Sequence, residues 1–153
     1  MQTLEPLLRQ HPFLQGMRDE HIGLMAGCAR NVRFEPGEFL LREGHEACQW
    51  YLIRSGQVTL ETHLRGQDSA QVGTLGENDV LGWSWIVAPY LWHFDARAVT
   101  TTRAVALDGE CLRQKCEENH ELGYELMKRF LHVVQQRLVW ARMQLVDMYK
   151  ANT

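Results

Sequence analysis

The sequence lacks an apolar stretch that could cross a bilayer. Its longest, around Leu81 to Trp92, is interrupted by Gly82, Ser84 and Pro89, and a spanning helix needs about 20 apolar residues in a row. No membrane association is expected. The short motifs of enzyme chemistry are missing as well: there is no P-loop, no G-x-S-x-G and no H-E-x-x-H. The histidines, among them His45, His63 and His93, never pair as H-x-H, so no metal site is expected. Nothing in the chain calls for a cofactor or marks a catalytic residue. Cysteine is sparse. Cys28, Cys48, Cys111 and Cys116 form no C-x-x-C pair, and the last two stand five apart, a poor spacing for one helical face. Buried free thiols are the expectation. Basic charge is also short: a formal charge of −3 argues against a surface built for broad phosphate contact. The first thirty residues mix Glu5, Arg9, Asp19 and Glu20 with apolar positions, unlike a secretory signal or transit peptide. A cytoplasmic location is expected.

What is present divides the chain, read as one domain over residues 1–153, into three parts. Residues 1–29 read as short helices. Thr3 is placed to cap one that buries Leu4, Leu7 and Leu8; a second carries Ile22, Met25 and Cys28 at three-residue steps. Over 31–107 the period changes to two. The runs "NVRF", "EFLL", "QWYLIRS", "QVTLETHL" and "SAQVGTL" alternate apolar and polar residues, and Pro36-Gly37, Gly44, Ser55-Gly56, Gly66 and Gly76 punctuate them. Strands this short and this regularly spaced make a sandwich, barrel or jelly roll. In "WHFDARAV" the alternation puts Trp92, Phe94, Ala96 and Ala98 inward and His93, Asp95 and Arg97 outward, with Asp95 and Arg97 free to pair.

Residues 109–150 are helical. A short helix spans "GECLRQKCEEN" and a long one runs from His120 to Lys150 without proline. Tyr124, Met127, Leu131, Val134, Leu138, Ala141, Leu145 and Met148 step by three and four, a seam of about four heptads. Leu126, Phe130, Val133 and Trp140 form a second stripe. A helix of about 45 Å with two apolar faces offers one to the β part and one to a second copy of itself, so a parallel homodimer is expected.

The order of helices, roll and long helix resembles the effector domain of the Crp/Fnr regulators, a cyclic nucleotide-binding domain of the double-stranded β-helix superfamily. The resemblance is carried by "FEPGEFLLREG", "WYLIRSGQVTL", "LGENDVLG" and "RAVTTTRAVALD", with Gly37, Gly44, Gly56, Gly76 and Gly82 at the family's turns, where positive φ is expected. It covers nearly the whole chain. It implies a mainly β jelly roll with flanking α elements, a C-terminal dimerisation helix and a ligand site around the segment after Gly82. It also implies a glutamate directly after that glycine, an arginine for the cyclic phosphate and helix hydroxyls for the base. Here Trp83 follows Gly82, the arginine position falls on Trp92 and the small residue two further on is Phe94. No Ser or Thr lies between Leu122 and Lys150. Binding of a cyclic nucleotide in the usual manner is therefore not expected. The family's helix-turn-helix has no counterpart before Thr153, so direct DNA contact is not expected either, and signalling through a protein partner is.

Two readings of Gly82, Trp83, Ser84, Trp85, Trp92 and Phe94 stay open. Either the rings plug the roll and leave a scaffolding dimer, or they line a remodelled pocket for a small-molecule effector or a cyclic nucleotide. In the second case a short helix starting near Ser84 would offer backbone N–H groups to an anion.

Overall fold

The computed structural model describes residues 4–63 and 69–152. The cap expected at Thr3, the Leu64 end of the fourth strand run and the turn at Gly66 lie outside the described residues.

Helix α1 (Glu5–Gln10) has proline in its first turn and ends at His11, which is extended because Pro12 follows it. A 3-10 turn, Pro12–Leu14, comes next. The His11 ring caps it by accepting the Phe13 N–H at 3.2 Å. Helix α2 (Asp19–Ala26) buries Ile22 and Met25, as the spacing predicts.

Eight strands then form two antiparallel sheets: β1 (Ala29–Phe34), β2 (Phe39–Leu41), β3 (Gln49–Ser55), β4 (Val58–Thr62), β5 (Ala70–Leu75), β6 (Val80–Leu81), β7 (Asp95–Ala98) and β8 (Thr102–Asp108). Their orders are β1-β8-β3-β6 and β2-β7-β4-β5. This is the mainly β roll that the strand spacing and the glycine framework imply. Val58 and Leu60 on β4 face the same side as their partners Ala98 and Ala96 on β7, and all four are buried. β3 departs from simple alternation. Trp50, Tyr51, Leu52 and Ile53 are all buried, because both of its faces are covered. Trp50 meets Phe13 and Phe130 on the helix side, whereas the Tyr51 hydroxyl donates to the Leu40 carbonyl of the other sheet at 3.1 Å.

Two turns need glycine for steric reasons. At Gly56 (φ +99°) an added Cβ would stand 2.5 Å from the Thr101 carbonyl oxygen, and at Gly82 (φ +100°) 2.5 Å from the Trp92 ring. The positive φ expected at Gly76 is found at Asn78 instead (φ 74°), where the Asp79 carboxylate accepts the Gly76 N–H and tightens the turn.

Helix α3 (Gly109–Glu118) is capped by the Asp108 carboxylate, which accepts the Cys111 N–H. Asn119 caps α4 (His120–Ala151) in the same way. At 32 residues α4 is about 48 Å long. The expectation of four free thiols does not hold. Cys28 and Cys111 are joined by a disulfide, with Cα atoms 5.8 Å apart. Their 83-residue separation hides a pairing made by the β1–β8 ladder, where the Asp108 N–H donates to the Cys28 carbonyl. Cys48 and Cys116 are free. Among the described residues no helix is long and apolar enough to cross a membrane.

Candidate functional site: the segment from Gly82 to Phe94

β6 delivers the chain to Gly82, and β7 takes it up again at Asp95. Between them the segment is not helical. Successive turns replace the helix expected from Ser84, with the Ile86 N–H donating to the Trp83 carbonyl and the Val87 N–H to that of Ser84. A cis Ala88–Pro89 bond follows. Two of the amides expected to face an anion, those of Ile86 and Val87, are thus spent inside the turns. The second half is zipped to residues 44–47: the Ala47 N–H donates to the Tyr90 carbonyl, the Trp92 N–H to that of His45 and the Gly44 N–H to that of Trp92.

The six candidate residues do not form one plug. Trp85 is fully buried on the helix side of β3, stacked on Trp50 (5.4 Å between centroids, planes 10° apart) and edge-on to Phe130 of α4. Trp92 is buried against Gly82 itself. Trp83 and Phe94 make a separate, half-buried pair 6.2 Å apart. Ser84 is buried in the turn between them. The sequence pattern does not single out Trp50, although the unbroken run "WYLI" marks a strand covered on both sides.

The remaining hollow at Trp92 is about 230 Å³ and is bounded by residues such as Leu40, Leu41, Tyr51 and His45. That is below the roughly 300–1,000 Å³ of small-molecule sites. A groove of about 710 Å³ lies elsewhere, between Ile86 and Tyr90 on one side and Arg113, Tyr124 and Met127 on the other.

Charge is arranged differently from the sequence expectation. Asp95 keeps its outward face, but it is buried and does not pair with Arg97. One carboxylate oxygen accepts the Glu43 N–H at 2.7 Å and the other is 2.9 Å from His63 Nε2. Arg97 pairs with the buried Glu61 across the ladder at 2.7 Å. A second guanidinium, Arg137, reaches the roll from α4. It donates to the Val80 carbonyl at 3.0 Å and lies over the Trp140 ring. Burial works against its charge and lowers its pKa, with Asp79 acting in the opposite sense. The helix pattern hid Arg137 because it falls between the two apolar stripes.

The two stripes of α4 differ in exposure along most of their length. Leu126 and Phe130 are buried and Val133 is half-buried, whereas Tyr124, Met127, Leu131, Leu138, Leu145 and Met148 are each more than half exposed. In the same seam Val134 is half-buried and Ala141 exposed. Trp140, assigned to the inner stripe, remains 42% exposed, between Arg137 and Gly73.

Eight strands in two sheets, a turn-rich segment between β6 and β7 and a long closing helix define a cyclic nucleotide-binding-type roll. The description "Cyclic nucleotide-binding domain" matches residues 31–119, and the chain belongs to that family. A CRP-like cAMP-activated global transcriptional regulator of Mycobacterium tuberculosis is 23% identical over 145 residues. The match takes in 95% of this chain but only 63% of that regulator's length. A cyclic nucleotide-binding protein of Geobacter metallireducens has the same fold at TM-score 0.80 and 28% identity, with 90% of this chain and 99% of that one covered. The regulatory subunit of a cAMP-independent protein kinase A of Trypanosoma brucei matches at TM-score 0.75 and 20% identity, covering 94% and 50%. A mutant of that subunit, in which one substitution introduces an arginine, is described as bound to cAMP.

Proposed function

We propose that the chain is a single non-catalytic, cytoplasmic regulatory domain that takes no cyclic nucleotide in its family's manner and pairs with a second copy along α4. The observation that carries this reading is Trp92 lying on Gly82, at distances that leave no room even for a methyl group. A buried anion without a charge-assisted partner is costly. Arg97 is engaged by Glu61, Arg137 by the Val80 carbonyl and Arg113 by the Trp85 carbonyl, and Arg42, which borders the hollow at Trp92, is half exposed over the Phe39 ring. The Trypanosoma subunit supports the reading, since a cAMP-independent member of the fold is described with cAMP in a triple mutant, one of whose three substitutions introduces an arginine.

The pairing reading rests on the exposed seam from Tyr124 to Met148, which water would otherwise solvate at the cost of its apolar area. Regulation then runs through the Trp85–Phe130 contact, which ties the Gly82–Phe94 segment to the helix that pairs.

A thermal-shift panel tests the ligand half. A ligand at a hundred times its Kd adds about 2.7 kcal/mol, or about 5–10 °C for a domain of this size. Cyclic AMP and cyclic GMP are expected to move the melting temperature by far less, and a shift of that size overturns the reading. Leu138→Glu tests the pairing half: light scattering should give half the wild-type mass, and an unchanged mass refutes the seam.

A further inference from the structure

We propose that Cys28 and Cys111 are a redox-active pair, exchanging two electrons with a dithiol or with glutathione, and that their state sets the mobility of the Gly82–Phe94 segment. The inference rests on the cytoplasmic reading above and on the regulatory role given there to that segment. In a reducing compartment a disulfide that persists is usually one that cycles.

The placement of the pair supplies the coupling. Cys111 stands in the first turn of α3, its N–H held by the Asp108 cap. Cys28 ends the loop between α2 and β1, so the disulfide pins the base of α3 to the edge of the β1–β8 ladder. From that base α3 grips the segment twice. The Gly109 Cα packs so closely that an added Cβ would be 3.1 Å from Trp85 Cβ. One turn on, Arg113 donates to the Trp85 carbonyl while its guanidinium lies 4.1 Å above the Tyr90 ring. Loosening the base of α3 therefore loosens the only α3 side chain that holds both Trp85 and Tyr90 among the described contacts. The Lys115 ammonium donates to the Leu24 carbonyl at 2.7 Å, a tie between α3 and α2 that does not pass through the disulfide, so the expected change is a release of the segment and not an unfolding of the helix.

The chemistry balances. Cys111 is half-buried and Cys28 is more deeply buried, so the incoming thiolate attacks the Cys111 sulfur and forms a mixed disulfide there. Cys28 leaves as a thiolate and takes up a proton. The second thiol of the reductant then attacks the mixed disulfide, frees Cys111 and departs as its own oxidised disulfide. Two protons end on the cysteines. The reverse sequence restores the bond. Cys116 does not compete: burial pushes its thiol up to about 11, so it stays protonated at neutral pH.

The test uses the full chain in glutathione buffers of graded composition. Thiols are trapped by alkylation and counted by mass spectrometry, while hydrogen exchange is followed in parallel. The pair is expected to titrate reversibly. In the reduced form the Ile86, Val87 and Tyr90 amides should exchange about tenfold faster, with β3 amides unchanged. Cys28→Ser combined with Cys111→Ser should show the fast exchange in every buffer, and Arg113→Ala should remove the redox difference. A pair that stays oxidised until the chain unfolds, or one that titrates while segment exchange stays constant, overturns the proposal. Should the double variant not fold, the wild-type titration alone decides. A thermal shift with cyclic AMP in the oxidised chain would defeat the earlier ligand reading and leave this one standing.

Discussion

The two sheets bury their outer faces by opposite means. β1-β8-β3-β6 is covered by the helices, and the seam between them is aromatic: Phe13, Trp50, Trp85 and Phe130 lie within 4.9–5.9 Å of one another in five ring pairs. Among the described residues β2-β7-β4-β5 has no such aromatic seam and carries charge on its outer face. Asp95 and Glu61 are buried side by side on β7 and β4, each satisfied by its own neighbours. Asp95 takes the Glu43 N–H and His63, and Glu61 takes Thr59, Ser69 and Arg97. Apolar cover stabilises through area removed from water. A charged network contributes little net stability, yet it is costly to break from one side. One sheet should therefore carry the stability of the roll, and the other should fix the register of its strands.

The contrast can be broken most directly at Trp50. Trp50→Ala removes the hub of the aromatic seam and should cost about 4 kcal/mol in urea unfolding, in line with large core truncations. Asp95→Ala should cost less, about 2 kcal/mol, since it leaves the Glu43 N–H without its acceptor. Were the two losses equal, the division of labour between the sheets would be wrong.

A smaller effect belongs to pH. His11 accepts the Phe13 N–H at Nδ1 and reaches the Ile53 carbonyl from Nε2 at 3.2 Å, an arrangement that suits the neutral ring with its proton on Nε2. Burial lowers its pKa below 6.5, against smaller opposing contributions from the Ile53 and Asp79 carbonyls and the Asp79 charge. The unfolded chain then takes up the proton first as pH falls. This contribution is complete above the unfolded value and is lost downward from about 6.5 toward the folded one. The slope of stability between pH 7 and pH 5 should flatten in His11→Gln, and an unchanged slope would assign the acid sensitivity to other groups. The smallest effect is expected at Arg97, half exposed against Glu61. Arg97→Gln should cost about 0.5 kcal/mol, because the Thr59 and Ser69 hydroxyls still satisfy Glu61, and a loss above 2 would mean that the guanidinium holds the network together.

Much of this architecture is legible in the residues. Alternation locates the strands, glycine spacing the turns and the double stripe of α4 its two faces. The face of Asp95 is legible too, but its burial is not, because alternation assigns a side and says nothing of what covers it. His63 and Glu43, which cover it, come from other strands and loops. Trp85 departs from the pattern for a similar reason: a ring three residues after Gly82 is expected within the roll, whereas the turns at Ser84 swing it beneath α4. The Cys28–Cys111 bond depends on the β1–β8 ladder, which no local spacing reveals. At Gly76 the left-handed residue moved two positions on, since asparagine tolerates that conformation and Asp79 secures the turn.

α4 is sunk among rings at Phe130 and laid bare from Ala141 onward. Mechanically that makes it a lever with a short arm inside the protein and a long one along its surface, steadied by the Arg137–Val80 and Gln144–Val72 hydrogen bonds. The 21 residues from Phe130 to Ala151 span about 32 Å, so a tilt of ~5° at the fulcrum sweeps the tip through ~3 Å. A displacement too slight to disturb the aromatic packing would arrive at the far end large enough to change which surfaces meet there.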